Sequence, residues 1–217
     1  LIISIAAGLP LSRIPVKQKA MFAREGFVIV ALSWVLFSLI GCLPFIISGD
    51  VPNFVDAFFE TVSGFTTTGA SILTDVESLS HSLKFWRCFT NWIGGMGILV
   101  FVLIFIPESD DGSSMHLLRA ESPGPQVGKL VTKMKATARI LYLIYLGLTV
   151  LQVIVLMMDK PIPGYENEKF FFSLLTAFGC AGTGGFGFIP GSMELFHPFS
   201  QYVISIFLLL YGITAED

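Results

Sequence analysis

Apolar positions run almost unbroken over residues 26–47, 85–106, 139–158 and 199–213, with polar residues gathered between them. At a rise of about 1.5 Å per residue, a helix over either of the first two stretches measures about 33 Å, enough to cross a hydrocarbon core of about 30 Å. The third reaches about 30 Å and the fourth about 22 Å, short of a full crossing. These stretches are apolar all round, so no amphipathic stripe orients them. The chain opens inside another apolar run, LIISIAAGL, and closes soon after the fourth stretch. The opening run lacks the basic flank and cleavage site of a secretory signal. Both ends read as cut, and the sequence is expected to be a piece of a longer chain.

A shorter segment of a different kind follows the first and third stretches. After Pro52, Asn53 caps a predicted helix over Phe54–Phe65, with Asp56 near its positive end. Twelve residues span about 18 Å, roughly half a membrane. That helix runs into Thr66-Thr67-Thr68-Gly69-Ala70-Ser71. In the second half Asn167 is expected to cap Glu168–Phe178, which runs into Gly179-Cys180-Ala181-Gly182-Thr183-Gly184-Gly185-Phe186-Gly187. Each half thus reads as long helix, short helix, Gly/Thr-rich strand, long helix, and the chain contains an internal repeat. A shift of 116 residues sets Thr67-Thr68-Gly69-Ala70 on Thr183-Gly184-Gly185-Phe186. A shift of 115 instead pairs Thr61 with Thr176, Gly64 with Gly179 and Thr68-Gly69 with Thr183-Gly184. Pattern alone leaves the register open by one residue.

Composition turns this pattern into a class. Of 217 residues 53% are hydrophobic and 13% charged, about half the charge of an ordinary soluble domain. That excludes both disorder and a single soluble core, leaving an integral membrane protein. The net charge of −3, without a dense basic run, gives no reason to expect nucleic acid. Cys42, Cys88 and Cys180 stand apart in apolar surroundings and read as small core hydrophobes. Basic residues set the orientation: nine fall within 10–25 and 107–139, against Lys84, Arg87, Lys160 and Lys169 elsewhere. The positive-inside rule makes those two segments cytoplasmic, so the Gly/Thr segments enter from the external face.

Irregular backbone at membrane depth persists only where protein or a water-filled path satisfies its polar groups. A Thr/Gly strand there offers closely spaced carbonyl oxygens, which can replace the hydration shell of an alkali cation. Stripping that shell in a low-dielectric medium costs on the order of tens of kcal/mol, so several oxygens must converge. The negative end of each short helix points at its strand and favours a cation. Packing between membrane helices also uses Gly and Thr; two such strands, each behind a short capped helix on the same side, favour the cation path. Gly182-Thr183-Gly184-Gly185-Phe186-Gly187 matches the G-x-G-x-x-G dinucleotide pattern by letter only. It follows a helical segment, precedes Pro190 and lacks an acid at the required spacing.

Three motifs in order resemble one family: Ser63-Gly64-Phe65-Thr66-Thr67-Thr68-Gly69-Ala70-Ser71, then Asn91-Trp92-Ile93-Gly94-Gly95-Met96-Gly97, then Arg119-Ala120-Glu121-Ser122-Pro123-Gly124-Pro125. They look like the TrkH branch of the Trk/Ktr/HKT potassium transporters, over about residues 24–212. The resemblance implies a potassium-channel-like pore of four membrane–pore–membrane repeats in one polypeptide. It implies homodimers with one pore per protomer and a cytoplasmic nucleotide-binding regulatory subunit. The filter glycines match Gly69 and, in the 116 register, Gly185. Serine at the first of these goes with sodium transport in plant relatives, so Gly69 leans toward potassium. Two departures stand out: only two repeats are present, and Thr214-Ala215-Glu216-Asp217 replaces the family's usual Asn-Phe-type continuation.

The expected fold is therefore an all-α integral membrane protein of repeated membrane helix–pore helix–filter strand–membrane helix units. Residues 1–25 form a helix end and cytoplasmic linker, 26–106 the first repeat, 107–138 a cytoplasmic loop and 139–217 the second repeat. The expected function is potassium uptake across the inner membrane, with potassium as substrate and no cofactor or enzyme chemistry. The alternative is a non-conducting half-chain that scaffolds or regulates a partner transporter. Expected filter residues are Thr66, Thr67, Thr68, Gly69 and Ala70, with Gly182, Thr183, Gly184, Gly185 and Phe186. Glu60, an acid inside the membrane, is a functional candidate that either faces a vestibule or bonds neighbouring backbone. Asp56, Asp75 and Glu77 either concentrate cations at the outer mouth or form a solvated face. Gly94-Gly95-Met96-Gly97 reads as close helix packing, with a hinge as the alternative. Lys129, Lys133, Lys135 and Arg139 face either lipid headgroups or a regulator. His81, His116 and His197 show no metal-ligand spacing.

Overall fold

The computed structural model describes residues 23–97, 134–189 and 192–216, and among these every regular element is helical. Seven α-helices follow in order: α1 (Ala23–Gly41), α2 (Leu43–Ser48), α3 (Phe54–Phe65), α4 (His81–Gly95), α5 (Met134–Met158), α6 (Lys169–Ala181) and α7 (Pro198–Glu216). Short 3₁₀ turns at Glu166–Glu168 and Ser192–Leu195 precede α6 and α7. The Gly/Thr segments, expected as strands, are irregular loops. The motif at 119–125, most of the loop 107–138 with Lys129 and Lys133, and residues 98–106 lie outside the described residues.

Hydropathy marks the membrane stretches but not their ends. The first stretch breaks at Cys42, because Pro44 has no N–H to continue the ladder. The Trp86 indole N–H donates to the Gly41 carbonyl at the break, at 2.8 Å. The second stretch starts earlier than its apolar run, at His81, and its helix stops at Gly95. Gly97, at φ 72°, turns the chain there, with its N–H on the Gly94 carbonyl at 2.9 Å. α5 begins at Met134, five residues before the apolar stretch at 139, across good helix formers such as Met134, Lys135 and Ala136. Phe27–Ser48 and Arg139–Met158 are each long and apolar enough to cross a membrane, with a mean hydropathy of 2.4. Leu32 and Leu143 on these spans are each 63% exposed, an outward apolar surface suited to lipid.

The short helices sit at the centre. α3 packs between α1 and α4, α4 packs on α6, and α6 packs against α5 and α7. Gly41 admits the contact of α1 with α3: a Cβ there would lie 2.7 Å from both Phe65 and Thr61. One apolar cluster gathers Trp92, Phe172, Phe178, Phe188 and Tyr211, and another gathers Cys42, Phe45, Ala57 and Leu83. All three cysteines are buried in these clusters, as their apolar surroundings predict.

One end of the molecule is laced across the repeat. Tyr165 Oη donates to Glu77 Oε1 and His81 Nε2 lies 2.8 Å from Glu168 Oε2, while within the first repeat Asp50 Oδ2 accepts the Ser80 N–H at 3.0 Å. The bond to Glu77 holds the Tyr165 proton and raises that hydroxyl above its ordinary pKa. Glu77 is therefore a cross-repeat partner, a role that neither sequence reading of it anticipates. At the start of α7, Asp159 Oδ2 accepts the Ser200 N–H at 3.0 Å and its hydroxyl at 2.6 Å. Desolvation pushes the Asp159 carboxyl up, but these bonds, the Lys160 N–H and nearby His197 outweigh it and hold the group below the usual carboxylate range.

Candidate functional site

Two loops follow the C-termini of α3 and α6, and their backbones match. Thr66 and Gly182, at φ −80° and −75°, end the helices. Thr67 and Thr183 then take φ 53° and 55°, and Gly69 and Gly185 take 71° and 65°. Left-handed threonine costs roughly 1–2 kcal/mol per residue, so two copies of the same strain mark a conformation imposed by the surrounding structure. The alignment settles the register at the loops on a shift of 116. At the helix starts the shift is 115: Thr61 bonds the Ala57 carbonyl and Thr176 bonds the Phe172 carbonyl. Helix α6 has 13 residues against 12 in α3, and that extra residue explains both pairings.

Asn53 caps α3 as its spacing predicts, with Oδ1 accepting the Val55 N–H at 3.0 Å. Asn167 does not cap α6. It falls in the 3₁₀ turn Glu166–Glu168, Glu168 occupies the cap position without a side-chain bond, and the helix continues to Ala181. The preceding turn, held by the Tyr165 N–H on the Ile162 carbonyl at 3.0 Å, moves the helix start past Asn167.

Three backbone donors of each loop are spent on their own helix. Thr66, Thr67 and Thr68 N–H groups bond the Val62, Gly64 and Ser63 carbonyls at 2.9, 3.0 and 3.0 Å. Gly182, Thr183 and Gly185 N–H groups bond the Phe178, Cys180 and Gly179 carbonyls at 3.2, 2.8 and 3.1 Å. Among the described residues, the carbonyls of 66–69 and 182–185 accept no hydrogen bond. Both short-helix C-termini add their partial negative charge at the same place. The Thr66 hydroxyl bonds the Val62 carbonyl at 2.7 Å and lies 2.8 Å from the Thr68 hydroxyl. Ala70 is tied back, its carbonyl accepting from Ser63 Oγ at 2.5 Å.

The loops meet. A Cβ on Gly69 would overlap the Gly184 carbonyl, and one on Gly184 would overlap Asn91 Oδ1 and come within 2.9 Å of the Thr67 carbonyl. Phe186, by contrast, is buried, its ring turned to Arg87. The motif 91–97 is the wedge between the two loops. Asn91 Nδ2 donates to the Gly179 and Phe178 carbonyls at 3.2 and 3.4 Å. Trp92 Nε1 donates to Thr149 Oγ1 at 3.1 Å, and Tyr145 Oη donates to the Trp92 carbonyl at 2.9 Å. Gly94 lies against the Phe65 carbonyl; a Cβ on Gly95 would come within 2.5 Å of Tyr145 Oη and 2.7 Å of Gly182 Cα. Close packing, rather than a hinge, accounts for both glycines. Gly95→Leu is therefore expected to cost about 1–3 kcal/mol or more of folding energy, read as lost monodisperse protein after membrane extraction.

Behind the loops lies a buried ion pair. Glu60 is 1% exposed and Arg87 3%, and Arg87 Nε donates to Glu60 Oε2 at 2.9 Å. Glu60 Oε1 accepts from Ser71 Oγ at 2.7 Å and from the Ile72 N–H at 2.6 Å. Glu60 thus bonds neighbouring backbone and faces no vestibule in the described chain. The positive-inside count treats Arg87 and Lys84 as external residues, but both are buried. The pairing of Arg87 was missed because its partners lie 27 and 100 residues away. Its only signal is an arginine in a stretch otherwise apolar enough to cross a membrane.

Residues 1–215 match the TrkH family, described as a cation transport protein. The Trk system potassium uptake protein TrkH of Escherichia coli K12 is 39% identical over 194 residues, covering 88% of this chain and 38% of that protein. Trk system potassium uptake protein TrkG of the same organism is 39% identical over 124 residues, 56% of this chain and 25% of that one. The crystal structure of the potassium transporter TrkH from Vibrio parahaemolyticus superposes with a TM-score of 0.65 at 28% identity, covering 97% of this chain and 39% of that one. The fold is shared with a solved potassium transporter, and the matching family is one of cation transport proteins. The chain belongs to the TrkH family. It spans 38% of the length of TrkH from E. coli K12 and 25% of the length of TrkG.

Proposed function

We propose that the chain serves potassium uptake across the inner membrane, with Thr66–Ala70 and Gly182–Phe186 as two walls of a selectivity filter. In this reading residues 26–106 and 139–217 are two membrane–pore–membrane repeats, with α3 and α6 as their pore helices. The observation that carries it is the state of the loop backbone. Two matched loops each spend three N–H groups on helix C-termini, and the carbonyls of 66–69 and 182–185 have no hydrogen-bond partner among the described residues. Such oxygens stay stable inside a membrane only against further protein, a water-filled path or a cation, and two symmetric sets of them favour the cation path. Phe186 contributes its backbone alone, since its ring is engaged with Arg87. The potassium uptake named for the relatives supplies the ion. A homodimer and a cytoplasmic nucleotide-binding regulatory subunit follow from the family resemblance and belong to the same proposal.

Gly185→Ser tests the reading without a steric clash, because nothing lies within 4 Å of a Cβ there, and the φ of 65° adds only the backbone cost of roughly 1–2 kcal/mol for a left-handed side chain. The variant is expected to reach the membrane in normal amount with its potassium/sodium uptake ratio reduced several-fold. An unchanged ratio in assembled protein would remove the filter assignment.

A further inference from the structure

The ion pair touches the far ends of both loops. On the first, Glu60 Oε1 holds Ser71 Oγ and the Ile72 N–H, just beyond Ala70. On the second, Arg87 NH1 donates to the Gly187 carbonyl at 2.5 Å, and its guanidinium carbon lies 3.8 Å from the centroid of the Phe186 ring. The near ends are already fixed by their helices, so this pair is what spans the two far ends. A buried ion pair is commonly no more stabilising than well-packed apolar residues of the same volume, so stability alone does not account for it.

We propose that Glu60 and Arg87 are positioning residues that set the spacing of the two cation-lining loops and thereby the discrimination of potassium from sodium. The proposal rests on the filter reading above. A filter that coordinates through carbonyls discriminates by how far those carbonyls can close around the smaller ion. Arginine suits the task because its planar fork reaches the Glu60 carboxylate and the Gly187 carbonyl at once while stacking on Phe186; lysine offers a point charge that cannot do all three. Glu60 has a second task, which is to neutralise a guanidinium placed close to a cation path.

The test uses the transporter expressed from its complete reading frame, purified and reconstituted in liposomes, with rubidium and sodium uptake measured per assembled molecule. Arg87→Lys and Glu60→Gln are each expected to lower the rubidium/sodium ratio three- to tenfold. Glu60→Gln is also expected to raise KM for rubidium, because the guanidinium loses its counter-charge, whereas Arg87→Lys leaves KM within about twofold. Loosened packing alone does not divide KM between the two variants in this way. Ser71→Ala, on an exposed loop, removes one bond to Glu60 and is expected to shift the ratio about twofold in the same direction. Assembled Arg87→Lys and Glu60→Gln with the wild-type ratio would overturn the proposal. Should neither assemble, an unchanged ratio in Ser71→Ala overturns it. Gly69→Asp separates the two levels. If it abolishes uptake while the pair variants keep normal selectivity, only this inference falls; if it transports normally, the filter reading itself falls.

Discussion

Gly69→Asp is expected to abolish potassium uptake while leaving the protein in the membrane. Three effects coincide at this residue. Its φ of 71° lies where a side chain costs roughly 1–2 kcal/mol. A Cβ there would overlap the Gly184 carbonyl, so the two loops must separate to admit it. On the proposed filter reading, a carboxylate would then stand among the cation-lining carbonyls, turning a weak and reversible site into a trap. Gly69→Ala shares the first two effects and should retain partial uptake with poor selectivity. The contrast with Gly185 follows from the packing: both glycines have positive φ, but only Gly69 is pressed against the other loop. Labelled potassium uptake in cells lacking their own uptake systems, normalised to protein in the membrane, measures both variants. Equal uptake by wild type and Gly69→Asp would show that these loops are packing devices.

Arg87→Met should destabilise the protein by about 3–5 kcal/mol, the usual cost of removing one partner of a buried pair. The substitution strands the Glu60 carboxylate, whose side chain has no exposed area, and removes the donor from the Gly187 carbonyl. Methionine fills most of the vacated volume, so the loss is electrostatic in origin. Glu60→Leu combined with Arg87→Met removes both charges and is expected to recover much of the stability, though not all. Ser71 Oγ, the Ile72 N–H and the Gly187 carbonyl would still lack partners in the double variant. Thermal unfolding of detergent-solubilised protein, followed by loss of the monodisperse species, reports all three forms. A single variant as stable as wild type would mean that the pair contributes nothing to the fold.

These two expectations draw on different kinds of information. Gly69 was legible as a candidate because threonine-rich sequence behind a short capped helix is poor helix and poor strand at once. Asn53 and the twelve residues after it were equally legible, since a cap and an apolar run are local signals. Asn167 shows the limit of such signals. The same residue type at a similar distance from a Phe-rich run was displaced by a 3₁₀ turn, and its helix gained a residue. The break at Cys42 lies in plain view as Pro44, but an apolar run over 26–47 passes straight through it because proline does not interrupt apolarity.

The sequence by itself determined the class of protein, its twofold repeat and the chemistry available at its centre. Long apolar runs leave a membrane as their only stable surroundings, and the repeat recurs in the order of helices and Gly/Thr segments. Tertiary structure alone decided how those parts meet. The register at the loops became single-valued only when both showed positive φ at matching positions, Thr67 with Thr183 and Gly69 with Gly185. Glu60 found Arg87, and Arg87 found Gly187, across 27 and 100 residues because α3, α4 and α6 pack side by side. Propensity and periodicity act over a few residues, whereas the partner of a buried charge is chosen by whichever helix face the packing brings within 3 Å of it.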